Sequence, residues 1–196
     1  MVMKKKKEIT VPELSELQEE LNRVKYKKRF KRVLTSTVST LIVVAAVAVL
    51  IATLLMPVLQ IYGTSMSPTL YDGDIIATWK TTDFRQGDVV AFYYNNKILV
   101  KRVIAMSGEW VDMDEEGNVY VNDVLLDEPY LVERAIGECD IKLPYQVPEN
   151  RIFVMGDHRS VSVDSRSTTV GCVSEEQLVG KLVFRVWPIQ DIGTVR

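Results

Sequence analysis

The sequence predicts a mostly β catalytic domain of coiled antiparallel β-sheet, preceded by one N-terminal transmembrane helix. Three observations predict it. No charged residue occurs from Val33 to Tyr71, in a chain that carries 24 Lys+Arg and 26 Asp+Glu. The charges separate by sign: residues 1–32 hold 11 basic and 5 acidic side chains, and residues 72–196 hold 13 basic and 21 acidic. Beyond the charge-free stretch, short runs of β-branched and aromatic residues alternate with Asn, Asp and Gly, the signature of strands and tight turns. A basic head, a neutral middle and an acidic body is the layout of a membrane-anchored protein.

The span is read from Val33 to Met56, 24 residues ended by Pro57. About 20 apolar residues cross the hydrocarbon of a bilayer, and the run is longer than the roughly 7–15 residues of a cleaved signal's apolar region. Lys25, Lys27, Lys28, Arg29, Lys31 and Arg32 stand just before it. Basic residues favour the cytoplasmic side, so the N-terminus is expected in the cytoplasm and the body outside it, in a single-pass protein of the cell membrane. The expected domains are a cytoplasmic basic segment with a short helix (1–32), a transmembrane helix (33–57) and an extracytoplasmic β-rich domain (58–196). Thr10, Pro12 and Glu13 fit a helix start, and Leu14, Leu17, Leu21 and Val24 form a helical stripe. That stripe is either a docking or lipid-surface helix or a solvated juxtamembrane one.

In the body, strands are expected at Ile75–Lys80, Asp88–Tyr94, Ile98–Met106, Trp110–Met113, Val119–Val121, Val124–Leu126, Ile152–Met155 and Lys181–Val186, with a helical turn at Ser174–Gln177. Asn95-Asn96-Lys97 and Asp114 to Asn118 are the hairpin turns. Asp127 to Glu149 is poor in pattern and reads as a loop-rich excursion. A net charge of −2 excludes a uniformly basic nucleic-acid binder. One histidine and two cysteines supply neither a disulfide-dense scaffold nor a zinc site, and no metal or cofactor is expected. Cys139 and Cys172 either pair or remain free thiols.

Four constellations carry candidate chemistry. Ser65 lies in Gly63-Thr64-Ser65-Met66-Ser67-Pro68-Thr69-Leu70, where the proline stiffens the preceding chain. Lys101-Arg102 interrupts an apolar strand, and alternation points the two side chains to opposite faces, so one of them can be buried. Burial lowers a lysine pKa from its usual value of about 10.4, and a neutral amine beside a hydroxyl is a general base. Gly156-Asp157-His158-Arg159 with Ser162, Asp164, Ser165 and Arg166 forms a dense polar loop in which Ser162 can aim the amine and Asp164 can pair with Arg166. Gly87-Asp88-Val89-Val90 is a turn into a buried strand. A Ser65–His158–Asp triad is the competing arrangement.

In order and spacing these pieces resemble the bacterial type I signal peptidases, membrane-bound serine/lysine endopeptidases. The likeness rests on Ser65 to Leu70, on Lys101-Arg102-Val103-Ile104 with Gly108-Glu109, on Gly156-Asp157 and Arg159 with Ser162 to Arg166, on Gly87 to Val90, and on Gly117 to Asn122. The resemblance implies Ser65 as nucleophile, Lys101 as general base, Ser162 orienting the amine, and Asp164 and Arg166 holding the site. It implies the Ser65 N–H as oxyanion donor, with Gly63 where some members place a second hydroxyl donor, and Thr64 as a substitute. It implies cleavage of exported preproteins after Ala-x-Ala sites through an acyl-enzyme. Ile61, Met66, Leu70, Ile76, Leu99 and Val100 would form shallow pockets, beside a phospholipid bilayer on which Trp79 or Trp187 would rest, and near the export channel. His158 stands where the family usually has Asn. Other readings are a narrower processor of surface or pilus proteins, a precursor-binding homologue without activity, and a self-cleaving DNA-bound regulator, which the anchor disfavours.

Overall fold

The structure, a computed structural model, describes residues 13–195. Contact density divides the chain at Ile51/Ala52 into two units. The first is helical. Helix α1 runs unbroken from Leu14 to Leu55, so the head helix and the apolar span are one element. Thr10 and Pro12, the expected helix start, lie outside the described residues; the Glu13 carbonyl accepts from Glu16 and Leu17 N–H. Among the described residues α1 is the one helix long and apolar enough to cross a membrane, and all its side chains up to Ile51 are exposed. Two hydroxyls of the span bond within the helix: Thr35 Oγ1 donates to the Lys31 carbonyl at 2.9 Å and Thr40 Oγ1 to the Ser36 carbonyl at 2.9 Å. A lipid-facing helix needs that local satisfaction, because hydrocarbon offers no partner.

The second unit is antiparallel β. Its strands are β1 (Val58–Gln60), β2 (Ile75–Trp79), β3 (Val89–Tyr94), β4 (Lys97–Ala105), β5 (Trp110–Met113), β6 (Val119–Val121), β7 (Val124–Leu125), β8 (Tyr145–Gln146), β9 (Arg151–Met155), β10 (Val173–Ser174), β11 (Leu178–Trp187) and β12 (Gly193–Thr194). The large sheet has the order β1-β2-β11-β3-β4-β9-β10, with β12 on β11; β7-β6-β5-β8 form a small one. Eight strands lie where the sequence places them, within three residues at either end. The missed strands β1, β8, β10 and β12 are two or three residues long, too short to show alternation. Asn95 takes a left-handed φ of +50° and turns β3 into β4 with two residues, so Lys97 opens the strand instead of closing the turn. The turn at Ser174 is a short 3₁₀ helix, Glu175–Gln177, whose Gln177 side chain accepts from the Ser174 N–H. Long β11 pairs first with β3 and then with β2. It changes partner near Gly180, where a Cβ would sit 2.6 Å from the Trp79 carbonyl oxygen.

Three apolar clusters fill the domain. Ile104, Val111, Val119, Phe153 and Met155 join the two sheets. Phe84, Val90, Phe92, Val103 and Val154 fill another face. Ile61, Met66, Leu70, Ile76, Val89, Ala91 and Leu182 form the third, beside β1. Lys101 and Arg102 face opposite ways from β4, and both are buried, at 4% and 2% exposure. A strand covered on both faces can bear two cations only where each finds partners. Arg102 Nε and Nη2 donate to Asp157 at 2.9 and 2.7 Å, Nη1 donates to the Gly87 carbonyl at 2.7 Å, and the guanidinium lies 3.9 Å from the centre of the Tyr130 ring.

Cys139 and Cys172 are both free. Trp79 and Trp187 are 45% and 49% exposed, so neither is a core residue.

Asp157→Ala removes the carboxylate that buried Arg102 grips and is expected to lower unfolding free energy by about 3–5 kcal/mol. The exposed Arg85–Asp83 pair, 3.5 Å apart, is the control: Asp83→Ala changes stability by less than about 1 kcal/mol. Urea unfolding of the detergent-solubilised protein measures both.

Candidate active site

Ser65 sits in a turn between β1 and β2, and Lys101 sits in β4. The fold brings them together: Lys101 Nζ donates to Ser65 Oγ at 2.7 Å. Two backbone features hold the serine turn. Gly63 has φ +88°, a conformation a glycine tolerates without strain, and its N–H donates to Asp72 Oδ1 at 2.7 Å. The Ser65 carbonyl accepts the His158 N–H at 3.0 Å. Gly156 makes the second contact feasible. A Cβ there would lie 2.5 Å from the Ser65 carbonyl oxygen and 2.2 Å from Ser162 Oγ.

The polar loop after β9 is cross-braced. Arg166 Nε and Nη2 each donate to the Asp164 carboxylate at 2.8 Å, both side chains fully buried. Asp164 Oδ2 also accepts the Gly156 N–H at 2.9 Å. Arg166 reaches further, to the carbonyls of Ile136 at 2.5 Å and Arg159 at 3.0 Å. Arg159 pairs with buried Glu128. Thr69 Oγ1 donates to Asp157 and accepts from Arg102 Nη2 at 3.2 Å. The pattern-poor excursion from Asp127 onward is thus fastened over the site by Arg102, Arg159 and Arg166. Glu128, Tyr130, Thr69 and Arg159 are members of this assembly that sequence reasoning did not assign. Acidic residues and tyrosines in a pattern-poor stretch, in a sequence with arginines inside an apolar strand and a polar loop, were the available signal.

Burial is the largest influence on Lys101 and lowers its pKa to about 8; the Asp164 charge raises it, Arg166 lowers it, and Asp157 raises it. Burial also pushes Asp164 upward, but the Arg166 hydrogen bonds and charge and the Gly156 N–H outweigh it, so its carboxyl titrates below the ordinary range. The amine therefore faces a carboxylate already claimed by an arginine.

The expected residues divide as follows. Ser65, Lys101, Ser162, Asp164 and Arg166 converge. Ser162 is buried, and its Oγ makes no hydrogen bond to Lys101; its side chain lies against the Asp164 carboxylate and adds to the lowering of that group's pKa. His158 touches Ser65 through its backbone, and Lys101, not His158, is the hydrogen-bond partner of Ser65 Oγ. Gly63 gives its N–H to Asp72; Thr64 is exposed. Ile61, Leu99 and Val100 line a groove of about 570 Å³ with Leu59, Gln60, Tyr62, Lys97 and Ile98, and Ser65 and Lys101 complete its lining. Met66, Leu70 and Ile76 are buried in the same apolar cluster as Ile61, against which Val100 and Leu59 pack; they do not line the groove. Among the described residues no cluster of His, Cys, Asp and Glu could hold a metal.

The family model for signal peptidase, peptidase S26, matches residues 34–187. Signal peptidase I of Bacillus licheniformis is 34% identical over 178 residues, covering 83% of this chain and 93% of its own length. The chain belongs to the signal peptidase family, peptidase S26. Signal peptidase IB of Staphylococcus aureus (strain Mu50 / ATCC 700699) is 38% identical over 151 residues, 67% of this chain and 78% of that protein. A crystal structure of a signal peptidase I from Enterococcus faecalis V583 aligns with a TM-score of 0.45 at 28% identity, covering 51% of this chain and 97% of that one. Membership makes this signal peptidase a protease of signal-peptide processing, acting on signal-peptide-bearing preproteins, and α1 fits a membrane anchor.

The depressed Lys101 pKa fixes a stability window. Unfolded, the amine titrates near 10.5; folded, near 8. Between these values the unfolded chain holds the extra proton, so stability rises with pH across the window, and below about 8 the cost of burying the charge is present in full. The difference in urea midpoint between wild type and Lys101→Met is expected to shift in favour of wild type as pH rises from 8 to 10.5. A pH-independent difference contradicts the burial of the amine.

Proposed function

We propose that this signal peptidase cuts with a Ser65/Lys101 dyad. The observation that carries the reading is the 2.7 Å hydrogen bond between a buried amine of pKa about 8 and the serine hydroxyl. A neutral Lys101 takes the hydroxyl proton as Ser65 Oγ attacks the scissile carbonyl. The Ser65 N–H, which among the described residues has no acceptor, points to an oxyanion donor. The protonated amine then passes its proton to the leaving α-amine, giving an acyl-enzyme and the free mature chain. Water, deprotonated by Lys101, releases the acyl group and restores Ser65. Ser162, buried in the same loop as Asp164, is proposed to orient the amine once substrate is bound, a contact that the free enzyme does not make. Asp164 and Arg166 hold the loop that carries it.

Sheet topology supports a place for the substrate. Among the described residues β1 pairs on one edge only, with β2. β4 pairs with β3 along Lys97–Arg102, but β9 takes its other edge only from Arg102 onward. The free edges of β1 and of Lys97–Lys101 flank the groove, and both strands run toward Ser65. An extended signal peptide adds backbone hydrogen bonds there. Met66, Leu70 and Ile76 already fill the apolar cluster behind the wall, so side chains directed at Ile61, Leu99 and Val100 must be small, as at an Ala-x-Ala site.

Residues 1–32 are assigned to the cytoplasm, 33–57 to the bilayer and 58–196 to the far side, on the basic flank of the span. Exposed Tyr62, Trp79, Trp187 and Ile189 suit the lipid interface, and a site eight residues past Pro57 reaches a preprotein still in lipid near the export channel.

Cleavage of a lipid-embedded preprotein with an Ala-x-Ala site tests this. Ser65→Ala is expected to fall to background, and Lys101→Ala to lose about 10²–10⁴-fold in kcat, while His158→Ala still cuts. Activity in Lys101→Ala with none in His158→Ala sinks the dyad.

A further inference from the structure

The groove ends at the reacting atoms. β9 occupies the β4 edge from Arg102, which pairs with Met155, and Gly156, Asp157 and His158 follow at once. A peptide lying along Lys97–Lys101 therefore cannot continue in line beyond the scissile bond; its leaving half is turned outward across the Gly156–His158 turn. That turn is tied to the serine by the His158 N–H. A second hollow of about 210 Å³ lies here, lined by Ser67, Pro68, Val132, Glu133, Asp157 and His158. It shares no lining residue with the groove, and it adjoins the serine turn through Ser67 and through His158, whose N–H the Ser65 carbonyl accepts.

Its lining has spare chemistry. His158 Nδ1 is buried and makes no hydrogen bond. The Asp157 carboxylate is already taken by Arg102 and Thr69. Glu133 is exposed and, among the described residues, makes no ion pair. Val132, 82% exposed, and Pro68 supply an apolar wall. An apolar wall below a carboxylate suits a side chain with an aliphatic stem and a cationic head. With its proton on Nε2, the imidazole offers Nδ1 as an acceptor for a peptide N–H.

Resting on the Ser65/Lys101 reading, we infer that this hollow is the subsite for the first residues of the mature polypeptide. Glu133 makes it favour basic over acidic side chains there, and His158 binds the leaving segment's backbone. Specificity on this side is independent of the small-residue rule on the other.

Preproteins with a fixed Ala-x-Ala site and Lys, Ser or Asp at the first two mature positions test the charge preference. With the wild-type enzyme kcat/KM is expected to fall from Lys to Ser to Asp, the extremes differing about twofold to fivefold per charge, as an exposed ion pair gives. Glu133→Lys inverts the order; an unchanged order overturns the inference. His158 is the sole histidine of the sequence, so its imidazole resonances in the full chain, purified without a histidine tag, are unambiguous. Titrating Ser65→Ala protein with a short peptide of the mature sequence is expected to shift them. Resonances unmoved at saturating peptide also overturn the inference. If wild type cleaves none of the preproteins, the dyad reading falls and the imidazole titration alone decides the subsite.

Discussion

The arrangement depends on one amine removed from water. A lysine on an exposed strand stays protonated at neutral pH and cannot accept a proton from serine. In β4 the same side chain is covered, its pKa falls to about 8, and its partner is Ser65 Oγ. Removal from water is unfavourable for a charged group, so the surrounding structure must hold the amine there against that cost. The nearby Asp164 carboxylate would work the other way and restore the charge. Its engagement by Arg166 and the Gly156 N–H limits that effect.

Three buried arginine–carboxylate pairs do this holding, each linking chain segments far apart in sequence or within the site loop. Arg102–Asp157 connects β4 to the loop after β9, Arg159–Glu128 clips the excursion onto that loop, and Arg166–Asp164 stiffens the loop itself. Such pairs give little net stability relative to apolar packing, but breaking one leaves a buried charge. Their effect here is geometric, since they fix Gly156 against the Ser65 carbonyl. The glycine allows a backbone contact that any side chain would prevent.

Much of this was legible in the sequence, for physical reasons. The anchor is visible because a charge-free stretch of that length has one common use. The β3–β4 hairpin and β5–β6 are visible because alternation and turn residues are local. Lys101 stands out because a cation inside an apolar strand must be accounted for. What was hidden is non-local. The strands β1 and β10 are defined only by their partners. That Lys101 and Arg102 are both buried follows from cover on both faces of β4, which alternation alone does not reveal. The role of the 127–149 stretch comes from arginines supplied by other segments, so its own residues carry no periodic signal. Ser162 was expected to aim the amine; its side chain lies against Asp164 instead, a choice of rotamer that sequence spacing does not fix.

The central claim is that burial beside Ser65 lowers the Lys101 pKa far enough for a working fraction of the amine to be neutral near physiological pH. The direct measurement is an NMR titration of the Lys101 side chain in the full chain in detergent, with selectively labelled lysine and Lys101→Arg to assign the signal. The account predicts a midpoint of about 8, well below the other lysines. A midpoint with them, near 10.4, would contradict it, because the amine would then carry its proton at the pH where the enzyme must take one.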